Sequence, residues 1–382
     1  MLRLNIPLPR LLGPREVICA KGALGVLASL PASRVAVIAT KRAAQHPTLD
    51  RLLSRERRVE FHLIQATWKG EPTLDSLSET IAALEEFRPD WIAAIGGGSV
   101  IDGAKLAWAR YEYPHFPIDR LGLPFSLPPL RRRARFLAAP TTAGTGSEAT
   151  STAVMCEPNT GRKIPVVSHD FLPDVAVLDP DLTIDLPPEW TGITALDALS
   201  HAVEGYVSRH ANPLADGLAF QAVRDILEAL PRVAEEPGDL VARQRVQQGA
   251  LFAGYVQNLR LVGLAHALAH NLDDVGIPHG LATGLLLPVV MEHNASRPEI
   301  RLAYDRLAQG AGLADGDALR QRVADIPALF RMPQRLGDWP GATLAQDAFE
   351  KIGKRALADR LSRVFPVPVD EGEAAELLRK VW

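Results

Sequence analysis

Residues 91–105 read WIAAIGGGSVIDGAK, an apolar run that ends in three glycines and continues into a helical pattern near Ser99. Trp91 to Ile95 has the length and composition of a buried strand. Glycines carry no side chains, so backbone N–H groups of this turn can approach a phosphate beside the positive end of the following helix. The stretch therefore predicts strand, phosphate-binding turn and helix in succession, a repeating unit of parallel α/β sheets.

The rest of the first half repeats this alternation of short apolar runs and helical patterns. Leu74 to Phe87 has apolar residues at helical spacing. Three further runs are candidate strands: Val35 to Thr40, Arg135 to Ala139 and Val175 to Leu178. Strands that alternate with helices predict a doubly wound parallel sheet.

The character of the sequence changes near residue 187. β-branched runs give way to long segments rich in alanine and leucine, which predict helices at Pro187–Ser208, Asp216–Leu230, Val241–Asn258 and Leu261–Leu272. We therefore predict an α/β domain over residues 1–186 and an all-helical domain over residues 187–382.

Composition excludes several classes of partner and location. The 382 residues carry a formal net charge of −3, so there is no electrostatic reason to expect nucleic acid or an anionic membrane as partner. Cys19 and Cys156 lie outside any C-x-x-C pattern, and the N-terminus does not resemble a signal peptide, which together favour a cytoplasmic protein. The apolar stretch Leu281 to Met291 is too short to span a bilayer and predicts a buried helix. The arginine-rich run at residues 131–135 predicts a solvated loop.

A second loop of small residues, PTTAGTGSEAT at positions 140–150, also follows a candidate strand. Either loop alone is as consistent with a tight turn as with a phosphate site. Ligands of such sheets gather beyond the carboxyl ends of the strands, where both loops are placed. Their joint occurrence therefore favours a site for a phosphate-containing cofactor.

Histidines and one aspartate recur at helical spacing in the second half. Asp197 and His201 lie four residues apart, as do His266 and His270, and His279 opens a later helical run. A spacing of four places both side chains on one helical face. Imidazole suits Fe²⁺ and Zn²⁺, and three nitrogens with one carboxylate leave a position open for substrate. Each histidine alone is more typical of a packed core, but the set on apolar helices favours a metal site.

The chain resembles the iron-containing (group III) alcohol dehydrogenases from about Leu11 to Asn294. The resemblance is strongest in GGGSVIDGAK, PTTAGTGSEAT, DALSHAVEGY and HALAHNL…PHGLATGLLLP. It implies a Rossmann-like dinucleotide-binding domain and a helical metal-binding and substrate domain, the dehydroquinate synthase-like architecture, with the active site between them. It further implies an NAD(P)-linked alcohol dehydrogenase or aldehyde reductase that acts on a small alcohol or aldehyde and forms a homodimer.

The resemblance also assigns residues to roles. Asp197, His201, His266 and His279 match the metal ligands, which take Fe²⁺ or another divalent ion such as Zn²⁺. His270 matches a histidine beside the nicotinamide and is the candidate proton relay, so that His270, Asp197 and His266 form the catalytic group. Cofactor contacts are implied for Gly97, Gly98, Ser99, Asp102, Thr141, Thr142, Thr145, Lys163 and Leu182.

Two departures from the family pattern bear on function. Members that use NAD typically have an aspartate where this chain has Thr40, followed here by Lys41 and Arg42. Bases in place of an acid attract a ribose 2′-phosphate, which favours NADP(H) over NAD(H), unless Lys41 and Arg42 only begin a solvated helix. The segment from His266 to His279 is one residue short, with Asp273 in place of glycine, which predicts a displaced His279 or a reshaped pocket.

Two other functions are compatible with these observations. Enzymes related to glycerol dehydrogenase or dehydroquinate synthase also join a nucleotide domain to a helical metal domain. A non-catalytic binding or assembly subunit could retain the fold. The second loop and the HALAH block favour the iron-type dehydrogenases, and retention of all four metal ligands disfavours the non-catalytic subunit.

Overall fold

A six-stranded parallel sheet forms the first half of the chain in the computed structural model, which describes residues 10–54, 59–157, 163–272, 275–345 and 347–382. The strands, in chain order, are β1 (Glu16–Cys19), β2 (Arg34–Ala39), β3 (Glu60–Gln65), β4 (Trp91–Gly96), β5 (Arg135–Pro140), β6 (Thr152–Cys156), β7 (Lys163–Val167) and β8 (Val175–Leu178). The sheet order is β1-β8-β5-β4-β2-β3, and β6 and β7 form a separate antiparallel hairpin.

The four predicted strands are confirmed within one residue at each end as β2, β4, β5 and β8. The sequence did not reveal β1 and β3, which lie at the two edges of the sheet. Both edge strands are partly exposed, so their residues do not form the continuous apolar run that marks a strand buried on both faces.

The strand order reverses between β2 and β4. From β2 the chain first adds β3 on one side and then crosses back to place β4 on the other. A crevice opens at the carboxyl ends of the strands where the order reverses, and this is where open α/β sheets bind ligands. Thr40 follows β2 and Gly97 follows β4 at this point.

Helices cover the sheet and then make up the second half. The α-helices are α1 (Pro47–Leu53), α2 (Ser78–Phe87), α3 (Gly98–Glu112), α4 (Ile118–Leu121), α5 (Pro188–Val207), α6 (Asp216–Glu235), α7 (Leu240–Arg260), α8 (Leu264–Ala269), α9 (His279–Asn294), α10 (Pro298–Gly310), α11 (Gly316–Ala324), α12 (Ile326–Leu329), α13 (Ala348–Ala358) and α14 (Glu371–Val381). The stretch predicted as a buried helix lies within α9. Among the described residues, no helix combines the length and apolar composition needed to span a bilayer.

Three large apolar cores and one small cluster of buried residues hold these layers together in the described part of the chain. Ile38, Leu84 and Trp108 belong to the core on one face of the sheet, and Leu24 belongs to the core on the other face. The third and largest core joins the helices from α5 onward. All strands in the described part of the chain end by Leu178, although the division into domains at residue 186 stays a prediction.

The prediction of a solvated loop at residues 131–135 is wrong for two of its arginines. Arg131 Nε lies 3.0 Å from the buried Asp174 Oδ1. The Arg133 guanidinium carbon stacks 3.7 Å over the Tyr111 ring. The loop is tied to α3 because the Glu112 carboxylate accepts the backbone N–H groups of residues 131–134 at 2.9–3.2 Å. A charge run alone does not show such carboxylate partners, which come from distant segments.

Candidate functional site

The two glycine-containing loops lie side by side at the carboxyl end of the sheet. A Cβ atom at Gly98 would lie 2.6 Å from Thr145 Cγ2, and one at Gly97 would lie 3.5 Å from Thr142 Cγ2. Real Cβ atoms do not approach other heavy atoms as closely as 2.6 Å, so only glycine at position 98 allows this contact. The absence of side chains thus brings the two loops together.

Backbone groups are available where α3 begins. Gly97 precedes the helix without any side-chain cap, and the first N–H groups of a helix have no partner within it. The Ser99 carbonyl accepts a hydrogen bond of 3.1 Å from Trp68 Nε1, which fixes the first turn from the side. The Thr141 N–H donates to the Gly96 carbonyl at 2.9 Å and so ties the second loop to the end of β4. This helix end fits the predicted pyrophosphate site.

Asp102 and Lys105 fasten the second loop to α3. The Asp102 carboxylate accepts hydrogen bonds from the Ser147 hydroxyl and, at 2.9 Å, from the Val154 N–H. Lys105 is fully buried, and its Nζ donates to the carbonyls of Ser147 at 2.7 Å and Thr152 at 2.9 Å. Burial lowers the pKa of Lys105 to about 8. The hydrogen bonds that the structure shows for Asp102 are therefore all to other protein groups. They hold the second loop in place.

Glu148 in the same loop makes protein stability depend on pH. Its side chain is 2% exposed, and burial raises its pKa from 4.5 to about 7. A raised pKa gives stability that is complete below pH 4.5 and lost as pH rises through 7. Between pH 5 and 8 we expect the wild type to lose up to about 3 kcal/mol relative to Glu148→Gln, at about 1.36 kcal/mol per unit. Urea denaturation of both proteins at each pH measures this difference, and parallel curves would contradict it.

Two further predicted cofactor contacts border this region. Lys163 begins β7, and its Nζ lies 2.6 Å from Glu71 Oε1. Its positive charge contributes, after burial, to the lowered pKa of His279. Leu182 is half-buried in the turn after β8 and packs against the core that contains Leu24.

The segment after β2 lies beside the same crevice. Thr40 Oγ1 accepts the Ala43 N–H at 3.0 Å and so begins a short 3-10 turn at residues 43–45. Lys41 is exposed. The Arg42 guanidinium donates to the Asp185 carbonyl and lies 3.6 Å from its carboxylate. Both charged groups of this pair are mostly exposed, so the pair is weak and Arg42 can be drawn to another anion.

Three imidazoles, one from each of three helices, surround one carboxylate oxygen of Asp197. Asp197 Oδ1 lies 3.6 Å from His201 Nε2, 3.6 Å from His266 Nε2 and 3.8 Å from His279 Nε2. These distances exceed hydrogen-bonding distance. Around a tetrahedral cation with bonds of about 2.0–2.2 Å, neighbouring ligand atoms lie about 3.4 Å apart.

The same atoms lack other partners. Asp197 Oδ1 and His266 Nε2 are buried and have no hydrogen-bond partner among the described residues. A buried carboxylate without a partner is costly, and a divalent cation at this point would satisfy both atoms. The ligand atoms of Asp197, His201 and His266 all lie within 4.8 Å of one another, so these three fit a metal ion such as Fe²⁺ or Zn²⁺, with His279 at the edge of the group.

The electrostatics of the cluster also favour cation binding. Burial lowers the pKa of His201 to about 4 and that of His279 well below its usual value, so both are neutral at pH 7, as metal ligands must be. Burial opposes ionisation of Asp197, but the surrounding imidazoles outweigh it and hold its pKa below the ordinary range. For His266, burial is outweighed by the carboxylates of Asp197 and Glu204, which raise its pKa to about 9. In the metal-free protein this ring is therefore protonated at pH 7, and a cation bound at Nε2 would take the place of one of its protons.

Glu204 is a residue of this site that the sequence interpretation missed. Its Oε2 lies 2.7 Å from His266 Nδ1, and its side chain is 3% exposed. A signal was present, because Glu204 lies seven residues after Asp197 and three after His201, on the same face of α5.

His270 lies beside the metal residues and has an acidic partner of its own. Its ring stacks on that of His279 with centroids 5.5 Å apart. His270 Nδ1 lies 3.0 Å from Asp359 Oδ2. Asp359 was also missed, because it follows α13 in the part of the chain where the sequence resemblance has ended.

The shortened segment before α9 leaves His279 close to Asp197. α9 approaches α5 closely, because a Cβ at Gly280 would lie 2.3 Å from the Ile193 carbonyl oxygen. This contact fixes the start of α9. His279 nevertheless lies outside the group formed by Asp197, His201 and His266, whose ligand atoms are all within 4.8 Å of one another, so the displacement of His279 stays a prediction. Asp273 lies outside the described residues.

Comparison with known proteins agrees with this architecture. The family model for iron-containing alcohol dehydrogenase matches residues 14–180, and that for the C-terminal part of the Fe-containing alcohol dehydrogenase family matches residues 191–382. The chain is 32% identical to NADPH-dependent butanol dehydrogenase of Clostridium saccharobutylicum over 97% of both proteins.

Solved structures are also similar to this chain. The iron-containing alcohol dehydrogenase of Thermococcus thioreducens is 30% identical with a TM-score of 0.88, covering 97% of this chain and 99% of the other. Sulfoacetaldehyde reductase of Bifidobacterium kashiwanohense in complex with NAD⁺ is 25% identical with a TM-score of 0.88, covering 98% of each chain. The chain is thus a metal-dependent, NAD(P)-linked alcohol dehydrogenase, and it belongs to the iron-containing alcohol dehydrogenase family.

Proposed function

We propose that Asp197, His201, His266 and His279 hold one divalent cation, with Fe²⁺ favoured over Zn²⁺, at the active site of an aldehyde reductase. The convergence of three imidazole nitrogens within 3.6–3.8 Å of Asp197 Oδ1 carries this proposal. When bound, the cation supplies a Lewis acid for the substrate oxygen, and the nicotinamide supplies the hydride.

The chain's own residues orient the groups and handle the proton. Asp359 accepts the Nδ1–H of His270, which leaves Nε2 as the atom that exchanges a proton with the substrate oxygen. During reduction His270 Nε2 gives this proton, and during oxidation it takes it back. The stacking of His270 on His279 holds the acid–base group next to the metal ligands.

We propose NADP(H) as the preferred cofactor. The absence of an acid at Thr40, with the exposed Lys41 next to it, supports this preference. One relative is called NADPH-dependent, whereas a structural neighbour was solved with NAD⁺, so relatives of this chain differ in cofactor. The first loop with Gly97, Gly98 and Ser99 would receive the pyrophosphate, and Thr141, Thr142 and Thr145 would face it across the crevice.

Small alcohols and aldehydes are the substrates of the family. We propose reduction of an aldehyde as the direction, a homodimer as the assembly and the cytoplasm as the location. Light scattering and cell fractionation test the last two.

The metal and cofactor assignments are tested together on protein purified without oxygen. We expect close to one iron per chain by elemental analysis, and faster reduction of an aldehyde panel with NADPH than with NADH. Turnover that persists after complete metal removal would overturn the metal assignment. A clear preference for NADH would overturn the cofactor assignment.

Asp359→Asn tests the proton relay. The amide cannot hold His270 in one tautomer as a carboxylate does, so we expect kcat to fall about 10-fold, less than the about 100-fold that loss of an acid–base group costs at minimum. Metal content should not change, because Asp359 contacts none of the four proposed ligands. Asp347→Asn, which breaks an exposed pair with Lys351, is the matched control and should keep full kcat. Equal kcat in both variants would contradict the role of Asp359.

A further inference from the structure

We propose that Glu204 is a positioning residue for the metal centre, which holds His266 in the tautomer that binds the cation. The inference rests on the proposed metal site and adds to it a residue that is not itself a ligand. It follows from the contacts at the two ring nitrogens of His266.

Each ring nitrogen of His266 faces a different carboxylate. Nδ1 lies 2.7 Å from Glu204 Oε2, and Nε2 lies 3.6 Å from Asp197 Oδ1. An ionised carboxylate can only accept a hydrogen bond, so Nδ1 must carry the proton in this contact. A neutral imidazole has one such proton, which leaves a lone pair on Nε2, the atom aimed at the proposed cation. The carboxylate also makes the imidazole a stronger base and therefore a stronger ligand.

Glu204 also fixes the backbone on which His266 stands. Its carboxylate accepts the N–H groups of Gly263 at 3.0 Å and Ala265 at 2.6 Å, directly before and within the first turn of α8. A Cβ at Gly263 would lie 2.8 Å from Glu204 Oε1, so glycine is needed there to let the carboxylate approach. One side chain thereby sets both the ring orientation of His266 and the position of α8.

Through this arrangement, α5 determines where the proposed ligands lie relative to one another. Asp197 and His201 supply two proposed ligands from α5, and Glu204, one turn further on, places the third ligand relative to them. In the described part of the chain, the second ring nitrogens of His201 and His279 have no carboxylate partner. We therefore expect metal affinity to depend on this contact at His266 more than on the surroundings of the other two rings.

The test compares Glu204→Gln with Glu112→Gln. Both residues are buried carboxylates that accept hydrogen bonds from several backbone N–H groups. Glu112, however, binds the loop at residues 131–134 and contacts no proposed ligand. Glutamine keeps one acceptor oxygen at each place. It removes the charge, and its NH₂ group can donate to Nδ1 and so favour the wrong tautomer. Zn²⁺ affinity of metal-free protein is measured by competition with a chelator, and stability by urea denaturation.

We expect Zn²⁺ binding to weaken about 10- to 100-fold in Glu204→Gln, the usual effect of losing such a partner, and to stay unchanged in Glu112→Gln. His266→Ala shows whether the site exists. If it leaves Zn²⁺ affinity intact, the proposed metal site itself is wrong. If His266→Ala loses Zn²⁺ but Glu204→Gln binds it as tightly as wild type, the metal site stands and the role of Glu204 is overturned. A loss of stability in Glu204→Gln without weaker Zn²⁺ binding also overturns that role.

Discussion

Replacing His266 with alanine is expected to remove both the bound metal and the dehydrogenase activity. His266 is 2% exposed and lies at the centre of the cluster, with one ring nitrogen facing Asp197 and the other facing Glu204. Without its Nε2, Asp197 and the two remaining imidazoles form an incomplete set for a tetrahedral cation. Loss of an outer partner alone weakens a metal site about 10- to 100-fold, so loss of a ligand should exceed that range.

Metal content and turnover are measured on the same samples. We expect iron in His266→Ala to fall below a tenth of the wild-type content, and kcat/KM for an aldehyde with NADPH to fall by more than about 1,000-fold, equivalent to about 4 kcal/mol. The control is His293→Ala, a half-buried histidine on α9 outside the cluster, which should keep both properties. Unchanged turnover with the metal absent would refute the metal role.

The loss should not be a consequence of unfolding. Glu204 keeps its hydrogen bonds to the N–H groups of Gly263 and Ala265 when the imidazole is removed, so α8 keeps its anchor. The remaining cost is a cavity of one imidazole, which we expect to destabilise the protein by about 1–3 kcal/mol. Circular dichroism and denaturation of the variant separate this cost from the loss of metal.

Local patterns explain which parts of the site could be predicted. The sequence WIAAIGGG reports a buried strand and its turn directly, because both depend on neighbouring residues. The pair Asp197 and His201 is likewise visible, since a spacing of four residues fixes a common helical face. These patterns gave the four central strands and the five histidine and aspartate side chains of the cluster.

Contacts between distant segments explain what was missed. Asp359 is 89 residues from its partner His270, and no periodicity connects the two. Arg131 meets Asp174 only because the sheet and the loop before β5 bring them together. Glu204 differs from these, because its position on the ligand face of α5 could have marked it before the structure was known. An acidic residue one turn beyond two proposed ligands is therefore a useful signal for a residue that supports a metal centre.

Thr40→Asp is expected to reverse the cofactor preference. Position 40 follows β2, where the strand order reverses, and an acid at the corresponding place in NAD-binding sheets bonds the ribose hydroxyls. A carboxylate there repels a 2′-phosphate and accepts hydrogen bonds from a free ribose. We expect the ratio of kcat/KM with NADPH to that with NADH to fall about 100-fold or more, which corresponds to about 2.7 kcal/mol.

The substitution is compatible with the local structure, so the change in preference can be measured on folded enzyme. Thr40 Oγ1 accepts the Ala43 N–H at 3.0 Å, and aspartate is at least as good an acceptor at the start of such a turn. Thr40→Asn keeps this acceptor and the size of aspartate but adds no charge, which makes it the matched control. Steady-state kinetics with both cofactors should show a large change of the ratio for aspartate and a small one for asparagine. Equal changes in the two variants would mean that shape, and not charge at position 40, selects the cofactor, and the argument for NADP(H) from Thr40 and Lys41 would then fail.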